Sequence, residues 1–181
     1  GGLRADAAAV RQNARNVGEA ASMMGVANTA TSQISSILGE MEDIIDMIDE
    51  DSSTYSADVA DNYNALRDQI IGIVESTDYN GIYMLDNLSW NTEQIDSNGN
   101  VYIQAYKDGG FNLSFQPIGN HETSGIDWDE LSGGQLDKDN FPAAFDHQKG
   151  LVDDYTSKIN TINDIYQNRQ TSLEFQQTEL E

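Results

Sequence analysis

Cysteine is absent from the 181 residues and proline occurs only twice. There is accordingly no disulfide framework, no thiolate nucleophile and no zinc–thiolate site. Basic residues are also scarce: Lys plus Arg number 9 against 31 Asp plus Glu, so the formal charge is 9 − 31 = −22. A surface of that sign repels a nucleic-acid backbone, which excludes nucleic acid as a partner, and it argues against anionic membranes, which recruit basic clusters. No apolar run approaches the ~20 residues of a membrane span, so no membrane insertion is expected. The chain is long enough for one domain that buries roughly 70% of its unfolded surface. It opens Gly1-Gly2 without Met or a signal peptide, which reads as a trimmed or processed segment.

What the sequence does have is helical periodicity. Leu3, Ala7, Val10, Ala14, Val17, Ala21 and Met24 step alternately by four and three, the spacing of one helical seam. Asn28 and Thr31 continue that seam, and Ile34, Ile37, Leu38, Met41, Ile44, Ile45 and Ile48 widen it. This predicts a long helix over residues 1–50, whose periodic stretch from Leu3 to Ile48 (about 46 residues) is alone a rod about 70 Å long at ~1.5 Å per residue. Polar residues 49–54 interrupt the pattern before Val59, Tyr63, Leu66, Ile70 and Ile73 resume it, predicting a second, antiparallel helix over 56–78. Asn80-Gly81 then marks a chain reversal.

Residues 79–140 differ in character. Val101–Tyr106 and Phe111–Gln116 are rich in β-formers and joined by Lys107-Asp108-Gly109-Gly110, a hairpin signal that calls for positive φ in the turn. Asn98-Gly99 predicts another turn, and 119–140 reads as an irregular connection. Helical steps return at Leu151, Tyr155, Ile159, Ile162, Tyr166 and Leu173, predicting a C-terminal helix over 141–181. The fold class expected is mainly α (α+β): one domain over 1–181, an elongated antiparallel helical bundle or coiled-coil rod built from both chain ends, with a small β-hairpin region inserted.

Charge is segregated along this rod. Residues 1–36 hold Arg4, Arg11 and Arg15 against Asp6 and Glu19, whereas 40–61 hold nine acids and no base. Catalytic chemistry is hard to find. The only histidines, His121 and His147, have no partner at metal-ligand spacing. Asp96-Ser97-Asn98-Gly99-Asn100 has glycine fourth rather than sixth and Lys107 in the twelfth position, so it is a turn and not a calcium loop. Carboxylates are plentiful, but acid–base work needs a pair held in a cleft. No catalytic residue, no metal site and no cofactor is expected.

Four short elements, in order, resemble bacterial flagellin. Gln12-Asn13-Ala14-Arg15-Asn16 with Ala21-Ser22-Met23-Met24 is similar to the family's N-terminal Gln-Ala-Ser-Arg-Asn segment. Thr77-Asp78-Tyr79-Asn80-Gly81 resembles its Thr-x-Phe-Asn-Gly element, Gly125-Ile126-Asp127 a short strand beyond the core hairpin, and Gln167-Asn168-Arg169 the Gln-Asn-Arg of its C-terminal helix. The motif positions carried over are Gln12, Arg15, Asn16, Asn80, Gly81, Gln167, Asn168 and Arg169.

The resemblance implies a non-enzymatic structural subunit of the extracellular flagellar filament, a self-associating homopolymer that serves motility. An export chaperone and the flagellar secretion apparatus are further implied partners. It also implies that far-terminal segments and most of an outer domain lie outside this sequence, so that this chain alone is not expected to form a filament. Many flagellins bind a Toll-like innate receptor through a helical surface that includes an arginine; here Glu40, near Ile44, stands at that position, so binding is expected to be weak or absent. Two other readings share these features: a hook–filament junction protein, and a secreted adhesin or binding module using loops 86–100 and 119–140 around Trp90 and Trp128. The net charge adds an expectation that salt, by screening repulsion between subunits, assists assembly.

Overall fold

The computed structural model describes residues 2–181. Helix α1 runs unbroken over Gly2–Glu50, about 74 Å at ~1.5 Å per residue. Helix α2 spans Ala57–Ser76, strands β1 and β2 span Asn100–Tyr106 and Gly109–Ser114, and helix α3 spans Pro142–Leu180. The molecule is a rod whose spine is α1 packed antiparallel on α3. The pairing is read from Asp49 beside Lys149, Ser35 beside Asn160, Thr31 beside Asn163 and Gly18 beside Gln177. Helix α2 covers the distal half of this pair and the β-region covers the other half.

Each helix boundary has a local cause. Asp51 ends α1 and caps the short turn that follows, accepting from the Ser53 amide at 3.1 Å. Ser56 then caps α2 through the Val59 amide at 3.1 Å. Pro142 stands in the first turn of α3, where its missing N–H costs nothing. The buried seam of α1 begins at Asn13 and Ala14 rather than at Leu3, since Leu3 and Val10 are 90% and 45% exposed. Met23, outside the seam, is buried in the core with Ile34, and Val26 and Ile71 pack against it.

A polar layer interrupts the apolar seam at mid-rod. The Asn163 amide nitrogen lies 2.9 Å from both Asn28 Oδ1 and Thr31 Oγ1, and Ser35 donates to Asn160 at 2.6 Å. Such a layer fixes the register of two long helices, because sliding by one turn would strand these groups against aliphatic side chains.

The hairpin forms between the expected strands, but for a different reason from the one the sequence suggests. Neither Gly109 nor Gly110 has positive φ. Both belong to β2, opposite Tyr106 and Gln104, with an irregularity in register between those partners. A Cβ on Gly110 would collide with the Ile103 carbonyl, so glycine is required there by close backbone approach. Positive φ occurs instead at Asn80 (50°), Gly81 (84°), Asn91 (72°) and Gly99 (82°), and all but Asn91 lie in the two Asn-Gly turns that the sequence predicts.

Residues 119–140 are irregular but not loose. Ile126, Trp128, Leu131, Gly133 and Leu136 are buried, and the segment runs back along α2 and α3 to the distal tip. Tyr63 donates to Gln148 Oε1 at 2.9 Å, which also accepts from the Ser132 amide, while Gln148 Nε2 donates to the Glu130 carbonyl at 2.8 Å. Gln148 itself is fully buried.

At the tip Asp49 accepts from Lys138 at 2.8 Å and Lys149 at 2.7 Å, tying α1 to the returning segment and to α3. Hydrogen bonds from Lys138 and then Lys149 hold its carboxyl at about 2, below the ordinary 3.8. A depressed folded-state value means that the contribution is whole above 3.8 and lost as pH falls toward 2. Melting temperature followed from pH 7 down should therefore fall faster through this window in the native protein than in D49N, which starts lower and stays flatter. Parallel profiles would contradict the clamp.

Candidate functional site

The functional features are the motif residues and the surfaces of the rod. The N-terminal motif forms a chain of polar contacts along α1. Arg15 donates to Gln12 Oε1 at 2.7 Å, Gln12 donates to Asn16 Oδ1 at 2.8 Å, and Asn16 donates to the Gln104 carbonyl of β1 at 3.1 Å. From the other side Arg169 of α3 donates to the Ser114 carbonyl at the end of β2, at 2.8 Å. One motif residue from each terminal helix thus holds one strand of the hairpin.

The inner face of the hairpin completes this attachment. Val101, Ile103, Ala105 and Leu113 are buried. Phe115 meets Tyr166 edge-on at 5.7 Å, and the Tyr166 hydroxyl accepts from the Gln116 amide at 2.7 Å. Burial pushes the Tyr166 hydroxyl well above its usual range, so it stays neutral. A two-stranded hairpin is marginal alone in water and depends on such packing. Removing both Asn16 and Arg169 contacts (N16A/R169A) should cost about 2–3 kcal/mol, roughly one to 1.5 per neutral or charge-assisted bond. The expected sign of the loss is faster amide exchange confined to 100–114; unchanged exchange there would contradict the attachment.

Asn80 and Gly81 make a two-residue reversal. Tyr79 and Ile82 exchange backbone hydrogen bonds at 2.9 Å, Asp78 accepts from the Gly81 amide at 3.0 Å, and Gln94 donates to the Asn80 carbonyl at 3.3 Å. The turn redirects the chain from α2 into the β-region. Gln167 and Asn168 are exposed on α3, and the Gln167 carbonyl accepts from Thr171 at 3.1 Å. Glu40 is exposed, whereas Ile44 is half-buried and packs on the core.

Gly125-Ile126-Asp127 makes a single bridge, Asn120 with Ile126, and no longer strand. Asp127 has its carboxyl raised, first by partial burial and then by Glu130, Glu122 and Asp129. His121 is exposed and accepts from the Thr123 and Ser124 amides through Nδ1, both at 3.1 Å, and His147 lies 2.9 Å from Glu130 on the surface. Among the described residues no group of three His, Cys, Asp or Glu is placed to hold a metal. No helix among them is long and apolar enough to cross a membrane.

An open groove of about 720 Å³ runs along α1, floored by Gly18, Ala21, Ser22, Gly25 and Thr29 and walled by α3. It exists because α2 stops at Ser76, leaving this face of α1 uncovered. Its polar side chains are amides, hydroxyls and two carboxylates: Asp78, which already caps the Asn80-Gly81 turn, and Glu174, which accepts from Gln170 at 3.1 Å.

Sequence reasoning did not find Gln148, Asp49, Lys138 or Lys149. Gln148 lay within reach: Phe145, Gln148 and Val152 step by three and four, so a polar residue occupies an apolar phase. The Asp49 clamp joins residues about 90 and 100 positions apart and has no local signature.

Comparison with known proteins agrees with this architecture. No curated protein sequence matches the chain. Among solved structures the fold is similar to the crystal structure of Bacillus cereus flagellin, with a TM-score of 0.67 and 21% identity, covering 92% of this chain and 88% of that one. Residues 1–89, which contain the Gln12–Asn16 and Asn80-Gly81 elements, match the family model of the bacterial flagellin N-terminal helical region. Residues 1–89 are thus a bacterial flagellin N-terminal helical region, and the chain as a whole has the flagellin fold.

Proposed function

We propose that this chain is the main subunit of an extracellular bacterial flagellar filament and serves motility, without catalysis and without a cofactor. The observation that carries the reading is the unbroken helix pair. Helices of 49 and 39 residues run antiparallel from the two chain ends, a rod whose long sides remain free for neighbours. The same reading makes the export chaperone and the flagellar secretion apparatus its partners before assembly.

The test is addition of the purified native protein to sheared flagellar filaments. Elongation into long, uniform filaments is expected. Growth that stops at a short cap would favour the hook–filament junction protein instead.

An adhesin would need its loop aromatics free for ligand. Trp90 and Trp128 are instead buried, with their N–H groups on the Tyr83 carbonyl at 3.0 Å and the Ile118 carbonyl at 2.9 Å. For innate recognition we expect at most weak receptor binding, because Glu40 presents a negative charge where an arginine is implied and Ile44 is partly covered. Nanomolar affinity in surface plasmon resonance would contradict this.

A further inference from the structure

On α1, Arg4 and Arg11 are seven residues apart and therefore lie on one face, with Arg15 four residues further along it. All three are exposed. The ion pairs among the described residues involve Arg67, Lys138, Lys149 and His147, and none of these three arginines. In a chain of charge −22 that is a row of cations without a carboxylate partner among the described residues, Arg15 donating only to the neutral Gln12 amide. Near the other end of the same helix Asp43 and Glu50 have the same seven-residue spacing, with Asp46 between them. All three acids are exposed and, with Met47, Asp51 and Thr54, line a shallow depression of about 400 Å³. Acids in the last turn of a helix oppose its dipole, so helix stability does not account for Glu50 there. Lys138 and Lys149 are committed to Asp49 and leave the outer acids unpaired.

We infer that these two rows are the halves of one subunit–subunit contact, in which Arg4 and Arg11 of one copy meet Asp43 and Glu50 of the next. The occupant of the acidic depression is a second copy of this chain. Equal spacing fixes the register: with rods parallel, a shift of 39 residues aligns both pairs at once, since 43 − 4 = 50 − 11 = 39. At ~1.5 Å per residue that shift is about 58 Å along the rod. In this parallel arrangement the contact is heterologous and continues into a line of subunits, whereas antiparallel rods pairing Arg4 with Glu50 and Arg11 with Asp43 would close as a dimer. This inference rests on the filament reading, from which it takes the parallel arrangement, and adds the residues and the register of the axial contact.

Three charge variants of the native protein test it at about 0.1 M ionic strength, where a screening length of about 10 Å damps repulsion between rod bodies and spares close contacts. R4E/R11E and D43R/E50R should each slow axial association at least about tenfold. Combining all four changes in one chain keeps the net charge at −22 and should restore it to within about threefold of native. A mixture of the two impaired chains should co-assemble, and the axial repeat in electron micrographs should be near 58 Å by the helix rise. Circular dichroism checks that the exposed substitutions leave the rod folded. Filaments that form unchanged from every variant would overturn the contact and leave the filament reading intact. Closed antiparallel dimers would overturn it as well. Charge-dependent end-to-end pairs that never elongate would uphold the contact and contradict the filament reading.

Discussion

Trp128→Ala is expected to lower the stability of the rod by about 3–5 kcal/mol, the range for removing a fully buried large aromatic. Trp128 is completely buried in the segment that returns along α2 and α3. Its N–H donates to the Ile118 carbonyl at 2.9 Å and its ring meets Tyr155 edge-on at 5.5 Å. The Tyr155 hydroxyl in turn donates to the Asp127 carbonyl at 2.9 Å and is pushed up to about 12, chiefly by burial. Alanine would leave a cavity, an unpaired Ile118 carbonyl and a tyrosine without its neighbour. The urea midpoint should drop accordingly, with Trp128→Phe losing less because the cavity is smaller. A loss below about 1 kcal/mol would mean that the segment does not share in the core.

Gly133→Ala should be damaging for the opposite reason, too little room. A Cβ on Gly133 would collide with the carbonyl of Ala60 in α2, and backbone on both sides cannot step aside. Its amide also donates to Asn64 Oδ1 at 2.8 Å, so any retreat breaks that bond. The combined cost is about 3 kcal/mol, the upper end of ordinary overpacking. The adjacent glycine is the internal control. A Cβ on Gly134 meets nothing nearer than Ser132 Oγ at 3.8 Å, so Gly134→Ala should fall within about 0.5 kcal/mol of native. Equal effects at the two positions would contradict the packing of this segment on α2.

These positions also mark where the sequence stops being readable. The long helices are legible because their signal is local and repeated: three- and four-residue steps continue far past any chance run, and α1 ends where Asp51 caps the next turn. Asn80-Gly81 and Asn98-Gly99 are legible because positive φ selects their residues directly. Gly110 shows the limit of that logic, since there the same residue type answers to close backbone approach and leaves no sequence mark to tell the causes apart. Between Ile118 and Leu136 the buried residues follow no period, because that backbone does not repeat. Its packing on Ala60, Asn64, Gln148 and Tyr155 is a long-range property.

For the motif residues, order along the chain gave the family resemblance but not what each side chain does. Asn16 and Arg169 lie more than 150 residues apart in sequence, and only the antiparallel register of α1 on α3 brings both to the hairpin. Leu3 and Val10, members of the expected seam, are exposed because the closest part of α3, around Gln177 and Leu180, pairs with Ala14 and Gly18.

Immunogold labelling of flagella with an antibody raised against this chain separates the filament reading from its alternatives in one image. Gold along the whole length of each filament is the expected result. Gold confined to the hook–filament boundary, or absent from flagella altogether, would contradict it.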